Sequence, residues 1–179
     1  MSETSQGAIP AVKIGPRDFM HQYFIARQPI FDSNLKLYAY ELLFRDSMQN
    51  AAPQSFCEDT ATAEVLTTSS DIGLDGLVGE QLAFINLPLR FFLEPELLLL
   101  PPDRVVLEVL ENVEITDAVR DGVKTLRDRG FTLALDDIVD IAPYGEVLPH
   151  ISIVKLEIPR LDRAQWGPVI SGLQQQGFK

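Results

Sequence analysis

The strongest constraint on this chain is the near-continuous apolar character of its short β-prone runs. RVVL (104–107) and FTLAL (131–135) lack the strict alternation of apolar and polar residues. A strand with one wet face alternates with period two, whereas a strand covered on both faces need not. The text between these runs has helical period. Thr116 can cap a helix, with Asp117 in its first turn. Val119, Val123 and Leu126 form one apolar stripe, Arg120, Lys124 and Arg127 form the polar face, and Gly130 supplies the stop. Repeated strand-then-helix units with buried strands mean an α/β fold.

The rest of the chain extends this pattern. YFIARQPIF and KLYAYELLFR read as strands around an Asp32-Ser33-Asn34 turn, a hairpin with a loop of three to four residues. A helix is expected around TATAEVLTTSSDIGLDGL, strands at QLAFINLP and ISIVKLEI, and a weaker helix in DRAQWGPVISGLQQQG. No glycine fingerprint follows a strand, which weakens the runner-up architecture, a doubly wound open sheet binding a dinucleotide. Residues 1–20 have neither an apolar signal segment nor a cleavage pattern and are expected to be a disordered tail. Residues 21–179 are expected to form one domain. FFLEPELLLLPP is broken by acids and prolines and is far too short to span a bilayer.

Composition narrows the partners. With 15 basic against 26 acidic residues and a formal charge of -11, the chain lacks the positive field that nucleic acids and anionic membranes require. Its single Cys57 excludes an internal disulfide and fits a reducing, cytoplasmic setting. Only His21 and His150 are present, so a metal would sit among oxygen ligands.

Five strand segments carry polar residues that buried strands avoid: Glu41, Asn86, Glu108, the pair Asp136-Asp137, and Lys155. An unpaired buried charge costs several kcal/mol, so each of them needs a partner. In a (β/α) barrel the C-terminal strand ends converge on one face, where active sites lie. Acids from several strands, an amide and a lysine meeting there suit one or two hard cations such as Mg²⁺ or Mn²⁺. Each residue has a plainer alternative. Asn86, Asp136 and Asp137 could cap helices, Glu41 and Glu108 could face solvent at a sheet edge, and Lys155 could reach out to water. Glu111, Glu114 and Asp140 read singly as solvated loop charges.

The spacing of these segments resembles the EAL domains, a family of cyclic di-GMP phosphodiesterases. QPIF followed by YELLFR is similar to the family's opening, with Glu41-Leu42-Leu43 in place of Glu-Ala-Leu. FINLP, LEVLE, LALDDI and IVKLE resemble four further motifs, in the family's order, across roughly residues 22–179. The style is most like the EAL half of proteins that fuse this domain to an HDOD domain. The resemblance implies a (β/α)8 TIM-type barrel with a divalent-metal site. Glu41, Asn86, Glu108 and Asp136 match direct metal ligands, and Asp137 matches an acid near a second metal. Lys155 matches a lysine that positions or activates the attacking water, which with Glu41 and Asp137 makes the catalytic set. Gln28 and Arg45 match positions contacting the ligand's guanine and phosphate. The implied reaction is metal-assisted hydrolysis of cyclic di-GMP to linear diguanylate. A homodimer is an allowed assembly.

The departures from the family are specific. Leu42 replaces the alanine of the name motif, Ile138-Val139 replaces a Phe-Gly pair, Leu110 replaces a threonine, and Glu157 replaces an aspartate. About six strands can be counted, fewer than the eight of a barrel that needs about 250 residues. The barrel is therefore expected to be incomplete in this chain, lacking a strand that carries a further catalytic glutamate. Hydrolysis is accordingly expected to be weak or lost. The alternative is a catalytically inactive module that binds cyclic di-GMP or a protein partner and signals through a fused domain. An unrelated barrel enzyme acting on a phosphorylated metabolite fits the five ordered motifs less well.

Overall fold

A computed structural model describes residues 12–13, 22–45 and 73–179. Their contacts form two compact units, Met1–Pro88 and Leu89–Lys179.

In the first unit, β1 (Val12–Lys13) and β3 (Leu37–Arg45) both pair antiparallel with β2 (Gln22–Phe31). Val12 and Lys13 fall inside the stretch expected to be a disordered tail; the rest of that tail lies outside the described residues. The β2–β3 hairpin is built on Asp32, whose Oδ1 accepts hydrogen bonds from the backbone of Asn34 and Lys36, both at 2.9 Å. The connection runs from Asp32 to Lys36, longer than expected, because Leu35 takes a left-handed conformation (φ 59°) before β3 begins. The short helix α1 (Leu74–Val78) leads into β4 (Leu82–Asn86), which pairs parallel with β3. Of the helix expected around residues 60–77, only this last part lies within the described residues.

In the second unit, α2 (Leu89–Leu93) and a single-turn helix at Pro95–Leu97 precede β5 (Val105–Val109). The helix α3 (Asp117–Asp128) connects β5 to β6 (Thr132–Ile138), and β7 (Ile153–Leu156) follows; both strand pairs are parallel. The chain then forms α4 (Trp166–Gln175). The strand-like apolar runs are buried as expected: Leu107, Val109, Leu133 and Leu135 are fully enclosed.

Helix α3 follows its sequence pattern closely. Thr116 caps it by accepting from the Val119 amide at 3.3 Å, and Val119, Val123 and Leu126 are buried. Gly130 adopts φ 93° just past its end, a conformation that costs glycine little. Gly122 shares the buried face for a different reason. A Cβ built there would lie 1.8 Å from the carbonyl oxygen of Phe92 in α2, so only glycine lets the two helices come this close. Arg129 completes the join by donating to the carbonyls of Pro95 and, at 2.7 Å, Leu98. Among the described residues, no helix is long and apolar enough to cross a membrane.

Candidate metal and phosphodiester site

The second unit brings three of the predicted site residues together. Register pairs Glu108 with Ala134 and Ala134 with Ile153. Side chains two apart on a strand share a face, so Glu108 on β5, Asp136 on β6 and Lys155 on β7 all stand on one face. Leu107, Val109, Leu133 and Leu135 take the other. Glu108 is 0% exposed and Asp136 6%, yet both are carboxylates. Their charge is met by Lys155, whose Nζ donates to Glu108 Oε1 at 2.6 Å and lies 2.5 Å from Asp136 Oδ1. The plainer alternatives fail here. Glu108 does not face solvent, Lys155 is half-buried between two acids, and Asp136 and Asp137 belong to a strand rather than capping a helix.

The adjacent aspartates are explained by a break in register. Leu135 pairs with Val154 and Ile138 with Leu156, three steps along β6 against two along β7. This is a β-bulge, with Asp137 held at φ 51°. The extra residue keeps Leu135 and Ile138 both in the apolar layer, since Ile138 is 2% exposed, and leaves two acids rather than one for the opposite side. Asp137 reaches solvent. Even so, the surrounding protein excludes enough water to push its carboxyl above the ordinary aspartate value, and the Asp136 charge adds to the effect while Lys155 opposes it. Glu111 and Glu157 contribute smaller repulsions. Glu157 is held by Arg160 at 2.9 Å, and the Asp140 Oδ1 accepts from the Ala142 amide at 3.0 Å. Sequence reading missed the bulge, because an extra residue in one strand leaves no mark until the partner strand is known.

The first unit holds the remaining candidates. Gln28 stands opposite Glu41 in the β2–β3 register, and Glu41 is level with Phe84, two residues before Asn86. By the same parity Gln28, Glu41 and Asn86 share one face of their strands. Gln28 is exposed and Glu41 half-buried. The Oδ1 of Asn86 is buried with no hydrogen-bond partner among the described residues. Arg27 projects to the opposite face, where it lies 4.8 Å over the Tyr40 ring and donates to the Leu77 carbonyl at 2.8 Å. Arg45 closes β3 in register with Phe24; its side chain lies outside the described residues.

Parallel strands joined through helices, with acids gathered at strand ends, are the pattern of a (β/α) barrel, and comparison with known proteins agrees. No family model matches the chain. The cyclic di-GMP phosphodiesterase CdgJ of Vibrio cholerae is 33% identical over 163 residues, covering 90% of this chain and 38% of that protein. An EAL-domain protein of Listeria monocytogenes has TM-score 0.63 at 21% identity, covering 88% of this chain and 75% of that one. BlrP1 of Klebsiella pneumoniae, solved in complex with calcium and cyclic di-GMP, has TM-score 0.67 at 20% identity, covering 94% and 51%. The fold is that of the EAL barrels, and among the described residues β2 to β7 supply fewer strands than the eight of a closed barrel. The chain is a divergent EAL domain. It spans less than two fifths of the length of CdgJ.

Proposed function

We propose that this domain serves cyclic di-GMP signalling: it binds the dinucleotide together with a divalent cation and hydrolyses it to linear diguanylate weakly or not at all. The observation that carries this reading is the Glu108–Lys155–Asp136 cluster, two buried carboxylates and an ammonium at adjacent strand ends. Such a cluster is costly as a structural device, because hydrophobic residues of similar volume often serve stability as well or better.

In this reading Glu41, Asn86, Glu108 and Asp136 hold the cation, Mg²⁺ or Mn²⁺, and Asp137 serves a second one. The donor set fits, since all the ligands are hard oxygens and the buried Asn86 Oδ1 is an acceptor lacking a donor among the described residues. When bound, the cation supplies Lewis acidity toward a phosphodiester oxygen and toward water. Lys155 holds positive charge where the transition state gains negative charge, and orients water from the Glu108–Asp136 face. Asp137, its proton affinity raised, is placed to take a proton at its carboxylate. Gln28 and Arg45 bind guanine and phosphate. Residues 21–179 act as one barrel domain behind a short N-terminal tail, in the cytoplasm, with no nucleic-acid polymer or membrane as partner.

Weak or lost turnover is supported by Ile138. Where the family carries a Phe-Gly pair, this chain extends β6 by a buried, β-paired isoleucine. The same observation favours the second reading, an inactive module that binds cyclic di-GMP or a protein partner and signals through a fused HDOD-like domain, with homodimerisation open to it. Titrating cyclic di-GMP into the intact protein with Ca²⁺, then following linear product with Mn²⁺, tests both. Calcium-dependent binding with negligible product is the expected result. Rapid Mn²⁺-dependent turnover would refute the claim of weak hydrolysis, and binding unaltered by Asp136→Ala would refute the site.

A further inference from the structure

The Lys155 ammonium stands in direct contact with the carboxylate oxygens that the proposed metal site requires. We infer that Lys155 is the resident counter-cation of the metal-free pocket, and that a divalent ion enters by displacing it from at least one carboxylate. The inference rests on the metal-binding reading above and deepens it, since it makes metal entry an exchange of cations.

The argument is one of charge and space. Glu108 and Asp136 are almost wholly enclosed, and each ionised carboxylate left uncompensated there would be unstable. Lys155 meets both, at 2.6 and 2.5 Å. A hard cation binds carboxylate oxygen at about 2.0–2.6 Å. An ammonium still in contact with those same oxygens would then sit within about 4 Å of the ion, where two positive charges repel strongly. Lysine can yield: it is a point charge on a flexible four-carbon stem, and this side chain keeps 26% of its surface in solvent. Glu157, the neighbouring acid on the same chain segment, is engaged by Arg160 and leaves the inner pair to Lys155.

The exchange has a signature that neither a purely structural lysine nor a lysine supporting the metal-bound state shares. Lys155→Met removes the competing cation, and Lys155→Gln removes the charge while keeping a hydrogen-bond donor for a carboxylate. The expected result is a lower melting temperature in chelator for both variants, with Mn²⁺ affinity by calorimetry raised about tenfold or more and a larger thermal gain on adding Mn²⁺. If Lys155 only stabilises the fold, melting falls equally with and without Mn²⁺ and affinity does not change. Weaker Mn²⁺ binding by the folded Gln variant means the lysine helps hold the metal; both of these outcomes overturn the exchange. Mn²⁺ binding by the variants but not by the wild type would support exchange in its strongest form. If neither wild type nor variants bind Mn²⁺, both the metal reading and the exchange fall. A wild type that binds, with affinity unmoved by either substitution, overturns the exchange alone.

Discussion

At Asp136 and Asp137, two neighbours of identical chemistry have opposite environments. Asp136 is enclosed and ion-paired, whereas Asp137 is exposed and carries left-handed backbone strain. At Asp137 the backbone, more than the charge, should therefore decide what a substitution costs. Asp137→Gly should leave thermal stability unchanged or slightly raised, because glycine takes positive φ at little steric cost. Asp137→Val should lower stability by about 1–2 kcal/mol in chemical denaturation, since a β-branched residue resists that conformation. Equal effects of the two would show that the bulge is not a fixed feature. The chemistry at this scale was open to reading from sequence: LALDD places acids where a strand should be apolar, and such residues demand partners. Lys155 was expected to meet these acids at one face, but its direct pairing with Glu108 and Asp136 was not legible, because only the register of three strands sets those contacts.

Among the elements, α3 was the most readable and also held the least readable residue. Its cap, stripe and stop follow from local rules, and Thr116→Ala should cost about 1 kcal/mol, measured by the shift in urea midpoint. Gly122 looks like a weak point in an otherwise good helix. Its necessity appears only against Phe92, in a helix too short and too flanked by proline to announce itself in FFLEPELLLLPP. Gly122→Ala should destabilise by about 3 kcal/mol, the upper end for overpacking, despite alanine's better helix propensity. A neutral or stabilising result would mean that α2 and α3 are farther apart than described.

At the scale of the whole molecule, cation and fold should be coupled. Saturating Mn²⁺ at about a hundred times its dissociation constant adds about 2.7 kcal/mol to stability. For a chain of this size that corresponds to a rise of about 5–10 °C in Tm. The single Trp166, whose indole donates to the Leu161 carbonyl at 3.2 Å, offers a fluorescence readout, and chelator should reverse the gain. A Tm insensitive to Mn²⁺ would count against any built cation site. The α/β class was evident from apolar strands alternating with an amphipathic helix, because burial on both faces leaves its trace in composition. Gln28 and Glu41 face each other within a hairpin that the turn residues announced, whereas registers between strands far apart in the chain, such as Glu108 with Ala134 and Ala134 with Ile153, carry no such trace.

The bulge in β6 also shapes how this segment can change over time. Either aspartate can be exchanged for another residue and the strand will still deliver Ile138 to the greasy layer beneath it. Deleting one of them removes the extra residue instead: Leu135, the remaining aspartate and Ile138 then alternate plainly against Val154, Lys155 and Leu156, and Ile138 still faces inward. A single-codon loss at this point should thus cost the segment its bulge and one acid while leaving the packing beneath it in phase, whereas the same loss in the unbulged stretch 133–135 would turn the strand inside out.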